Sequence, residues 1–148
     1  MTPEIRDCPE RLTAMRREVI HPHDIGMTIG LGAQRLREQL VAAGAEILGG
    51  PYARYHSFTK DQTDIEVGFE VDAPVDLADV EMSTLSAGRE AVLTHRGAYN
   101  EIPKTFAALE AWVGDNAVSR SVPREVYLSD PDRTPMAERD TEIIWPIE

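Results

Sequence analysis

Thr141–Ile147 reads TEIIWPI, and the alternation in this stretch decides the fold. Successive side chains of an extended strand point to opposite faces. Ile143, Trp145 and Ile147 therefore share one face, and Glu142, Ile144 and Pro146 share the other. The pattern recurs upstream, where Asp64-Ile65-Glu66-Val67 superposes on Asp140-Thr141-Glu142-Ile143 at an offset of 76. There Ile65, Val67, Phe69 and Val71 share the apolar face, with Glu66, Gly68 and Glu70 opposite. A wholly apolar strand face is the one a helix covers, which predicts Glu66 and Glu142 at equivalent positions on the second face.

Working outward, each of these strands ends a similar series of elements. In the first half, Arg11–Ile20 alternates as a half-buried strand that starts the fold. Leu31–Ala45 carries Leu36, Leu40 and Ala43 at helical spacing, with Gly44 as its stop. Tyr52–Thr59 and Ile65–Val71 then read as a hairpin. In the second half, Arg89–Arg96 reads as a strand and Ile102–Gly114 as a helix capped by Asn100. Val122–Asp130 and Thr141–Ile147 form its hairpin across the turn-rich Pro131–Asp140. Thr13-Ala14-Met15 matches Glu90-Ala91-Val92, and Tyr55 matches Tyr127, with offsets changing only in loops. The fold class predicted is α+β: two βαββ units in one antiparallel sheet, both helices on one face and a ligand groove on the other. A single domain spans 1–148, with pseudo-repeats at approximately 1–76 and 77–148.

Composition narrows the function. The chain has 148 residues, 42% of them hydrophobic, with one cysteine, Cys8, and a net charge of −11. Such acidity repels phosphate backbones, so no direct nucleic-acid contact is expected. Solubility explains the charge as well as any affinity for cations does. A lone cysteine fits a reducing, cytoplasmic setting. No stretch has the roughly 18 apolar residues of a membrane span, and no membrane partner is expected. The four histidines and Cys8 form no recognised ligand pattern, so no metal is predicted. Gly26–Gly32 (GMTIGLG) matches neither phosphate-binding spacing, and no cofactor is predicted.

Glu142 is the main candidate, followed as it is by Ile143-Ile144-Trp145-Pro146-Ile147. A carboxylate among such neighbours is partly desolvated and seeks a cation or a donor. Two readings stay open: an anionic anchor in a groove, or a sheet-face residue that is solvated or paired with an arginine. Glu66 is its symmetric counterpart, and Ile144 shares its strand face. Tyr55 and Tyr127 offer symmetric aromatic walls or simply complete a core. Tyr99, in Gly97-Ala98-Tyr99-Asn100, stands at a strand-to-helix turn and caps the groove or packs its loop.

Glu90–Trp112, Arg124–Pro131 (REVYLSDP) and Thr141–Ile147 together resemble the GyrI-like small-molecule-binding family. That family is related to effector domains of AraC-type and MerR-type drug-sensing regulators. The resemblance is stronger over Leu85–Glu148 than over the first half. It implies a duplicated βαββ fold with a ligand groove between the repeats, Glu142 as the groove glutamate and Tyr127 as an aromatic wall. Because the first strand begins near Arg11, no DNA-binding helix-turn-helix is expected ahead of it. Three functions follow: a stand-alone binder of planar, hydrophobic or cationic compounds; a hydrolase opening strained rings with Glu142 as general base; or a modulator of DNA gyrase.

Overall fold

The computed structural model describes residues 1–148, which divide into two compact units: Glu10–Ser86, and Met1–Pro9 together with Ala87–Glu148. All strand pairs within each unit are antiparallel, and the class is α+β. No helix is long and apolar enough to cross a membrane.

The Glu10–Ser86 unit contains β2 (Arg11–Ile20), α1 (Ile25–Ala42), β3 (Tyr52–Phe58), β4 (Thr63–Glu70) and β5 (Glu81–Leu85), with its strands in the order β5-β2-β4-β3. The other unit contains β1 (Glu4–Cys8), β6 (Gly88–Arg96), α2 (Ile102–Asn116), β7 (Arg124–Tyr127) and β8 (Asp140–Ile147), ordered β1-β6-β8-β7. Each unit is therefore a βαββ run plus one strand beside its first. The additional strands are exchanged along the chain. β1 precedes β2 in sequence yet pairs with β6, and β5 precedes β6 yet pairs with β2.

The two exchanged strands are absent from the sequence reading, so the first strand starts at Glu4 instead of Arg11. At five residues each, with half-polar patterns such as EIRDC, they show too little alternation to stand out. Helix α1 also begins at Ile25, a turn and a half before Leu31. Gly26, Gly30 and Gly32 disfavour helix by about 1 kcal/mol each relative to alanine, but packing overrides them. Leu36 and Leu40 are fully buried, and Gly32 lies close against Val67.

The predicted stop at Gly44 is observed. Gly44 has φ +75°, its N–H bonds to Val41 and the Ala45 N–H bonds to Leu40, the paired closure of a glycine-terminated helix. Asn100 is not the cap of α2. A short helical turn at Tyr99–Glu101 runs directly into the helix, leaving Glu101 at the cap position without a side-chain capping bond.

The alternation of both hairpins is as predicted. Ala91, Leu93, Ile143 and Ile147 form one core with Leu109 and Val113 of α2. Phe69 and Val71 form the other with Ala14 and with Leu36 and Leu40 of α1. On the opposite side of β4, a Cβ on Gly68 would lie 2.7 Å from Tyr52 Oη and 2.8 Å from both the Ala14 carbonyl oxygen and Met15 Cβ. Two of these three atoms cannot swing aside. Gly68→Ala is expected to cost about 1–3 kcal/mol, the usual penalty of overpacking, read as a lower urea midpoint at unchanged slope.

Candidate functional site

The two symmetric glutamates stand in the same place in their units but in different chemistry. Glu66 lies between Arg17 on β2 and Arg54 on β3. Its carboxylate accepts from Tyr52 Oη at 2.5 Å, Arg54 Nη2 at 3.0 Å, Arg54 Nε at 3.1 Å and His56 Nε2 at 2.7 Å, and the residue is 1% exposed. Burial pushes this carboxyl up, but the bonds from Tyr52 and His56 and the Arg54 charge outweigh it and hold it below the ordinary glutamate value. Oε1 takes three of these bonds and Oε2 the one from Tyr52, all from residues of the same unit.

Glu142 lies between Thr94 on β6 and Val126 on β7, neither of which can neutralise it. Its cation comes from the exchanged strand instead: Arg6 Nη2 reaches Glu142 Oε2 at 2.7 Å and also bonds to Glu4. These bonds raise the Arg6 guanidinium above its ordinary value. The pairing with an arginine that the sequence allowed is present. Ile144 is buried beside it, and the next buried groups on that face form a bidentate pair, Arg124 to Glu90 at 2.9 Å for both bonds.

Register separates Glu142 from the aromatic residues expected to surround it. Val126 is the residue opposite Glu142, while Tyr127 is opposite Thr141 and Glu125 is opposite Ile143. Tyr127 and Glu125 therefore point to the face that α2 covers. There the Tyr127 hydroxyl donates to Glu125 Oε1 at 2.7 Å, and Glu125 is 8% exposed. Tyr99 meets Tyr127 edge to face, with ring centroids 5.8 Å apart. Both rings pack against the α2 core.

The turn that carries Tyr99 is held from two sides. His95 is buried, with Nε2 donating to the Ala98 carbonyl at 2.9 Å and Nδ1 hydrogen-bonded to the Thr105 hydroxyl on α2 at 2.8 Å. The carbonyl can only accept, so His95 Nε2 carries a hydrogen. Gly97, at φ +133°, donates its N–H to the Arg139 carbonyl at 2.8 Å. Arg139 in turn sets its guanidinium 5.1 Å above the Tyr99 ring. Burial pushes the Tyr99 phenol up, against the opposing pull of the Arg139 charge.

Among the candidates from sequence, then, Tyr99 and Tyr127 come together, while Glu142 and Ile144 share the other face of their unit. Tyr55 lies in the other unit, opposite Ile65 on the side of α1, with Phe58 edge to face at 6.5 Å. Glu125 is absent from the sequence reading, although the period of two within Arg124–Tyr127 places it on the Tyr127 face. No three His, Cys, Asp or Glu side chains converge in a metal-binding arrangement.

The model of the GyrI-like small molecule binding domain matches residues 1–148. The chain belongs to the GyrI-like family. Solved structures share this GyrI-like fold at low identity. The EcmrR C-terminal domain superposes with a TM-score of 0.86 at 21% identity, covering 98% of this chain and 96% of that one. SAV2435 bound to tetraphenylphosphonium gives 0.72 at 16%, covering 100% and 94%. A hydrolase from Listeria innocua gives 0.65 at 14%, covering 99% and 92%. No curated protein matches the sequence. Membership makes this GyrI-like chain a small-molecule-binding domain, and three of its carboxylates differ in their partners: Glu66 accepts from Tyr52, Arg54 and His56, Glu142 pairs with Arg6, and Glu125 accepts from Tyr127.

Proposed function

We propose that this GyrI-like domain binds planar or cationic hydrophobic organic molecules, with Glu125 as the anionic anchor and Tyr127 and Tyr99 as the aromatic wall. The observation that carries this reading is the nearly buried Glu125 carboxylate, held by the Tyr127 hydroxyl at 2.7 Å in an aromatic setting. A carboxylate with little access to water gains most from a guest whose charge is delocalised. Such an ion loses little hydration on entry, and its apolar groups bury against ring faces. SAV2435, which shares the fold, is seen with such a cation.

The test is titration calorimetry with tetraphenylphosphonium. Glu125→Gln is expected to keep the near-ultraviolet circular dichroism of the native chain and lose more than about tenfold in affinity, the scale of one desolvated charge contact. Unchanged affinity in that variant overturns the anchor. If a cyclopropane-bearing alkylator is consumed catalytically by the native chain, and not by Glu125→Gln, the reading becomes that of a hydrolase with the same carboxylate.

A further inference from the structure

The cation nearest the aromatic wall belongs to the protein. Arg139 stacks on Tyr99, and its guanidinium is tied to the Pro131 carbonyl at 2.9 Å and the Thr134 carbonyl at 3.3 Å. Neither bond neutralises it. No carboxylate lies within ion-pair distance of Arg139, whereas Arg133 on the same loop is paired with Asp130. Arg139 therefore presents its charge to the Tyr99 ring. Its main-chain neighbours keep it there: the Arg139 carbonyl accepts from Gly97, two residues before Tyr99. Loop and ring thus form one assembly.

We propose that Arg139 is a specificity-determining residue, a tethered cation on the Tyr99 face that weakens binding of cationic aromatic guests and favours neutral or anionic ones. The inference rests on the proposed binding role of the Tyr99–Tyr127–Glu125 cluster and deepens it. A cationic guest must displace the guanidinium from the ring or accept like-charge repulsion beside it. An anionic guest of the same shape meets a favourable charge there. Selectivity between the two then results from the opposing effects of Glu125 and Arg139.

The experiment compares two probes of matched shape and opposite charge, tetraphenylphosphonium and tetraphenylborate, on the full chain. Arg139→Gln is expected to tighten the phosphonium and weaken the borate, moving the ratio of dissociation constants by about tenfold. Lys60→Gln removes the same formal charge from an exposed position of the other unit and is expected to leave the ratio unchanged. A purely structural Arg139 would shift both probes in one direction, and that result, or an unchanged ratio, overturns the proposal. Glu125→Gln must move the ratio the opposite way. If it does so while Arg139→Gln does not, only the arginine's role falls. If neither variant nor the native chain binds either probe, both readings fall.

Discussion

Arg124→Ala is expected to destabilise the protein by about 3–5 kcal/mol, the cost of stranding one member of a buried ion pair. Arg124 and Glu90 are 3% and 2% exposed, and their two parallel bonds of 2.9 Å leave little room for water to compensate. Cys8 adds a weak thiol bond to Glu90 at 3.3 Å. The loss is measurable as a fall in the urea midpoint. The double variant Arg124→Met, Glu90→Leu separates the pair's net contribution from the cost of breaking it. It is expected to recover most of the loss, since well-packed apolar residues often replace a buried pair without penalty. If the double variant is as unstable as the single one, the damage lies in packing and not in the orphaned charge.

Glu66→Ala is the second large effect, about 3 kcal/mol or more, because it leaves the Arg54 guanidinium facing a buried void beside Tyr52 and His56. It also changes the response to acid. The folded-state carboxyl is held below its ordinary value of 4.5. Its stabilising contribution is therefore complete above the unfolded-state value, and it is lost as the pH falls through the folded-state value. The native chain should lose stability progressively below about pH 4.5. Glu66→Gln, which keeps the shape and removes the titration, should start less stable at neutral pH and show a flatter acid limb. Parallel limbs in the two proteins would assign the acid sensitivity to other carboxylates.

The chain's surface carboxylates are expected to matter far less. Glu101 with Lys104 and Asp130 with Arg133 are exposed pairs within one turn of each other, and such contacts contribute little in water. Glu101–Lys104 is as short as the buried pairs, at 2.7 Å, so its contrast with Glu66 and Glu90 is one of solvent.

Sequence by itself determined the class of fold and the repeated order of its elements. A period of two carries across a strand whatever the strand lies beside, so the faces of Ile65–Val71 and Ile143–Ile147 were legible without coordinates. Gly44 ended its helix for an equally local reason, its tolerance of positive φ. The exchange of β1 and β5 was not legible, since five-residue strands with mixed patterns acquire their identity from the partner they bond to. The same dependence governed the carboxylates. Glu66 and Glu142 look alike along the chain, and only cross-strand register shows that one has Arg17 and Arg54 at its sides while the other has Thr94 and Val126. Register also turned Glu125 toward Tyr127 and Glu142 away from it. A charge's role depends on its neighbours in space, and those were decided by tertiary pairing, which the order of residues states only in part.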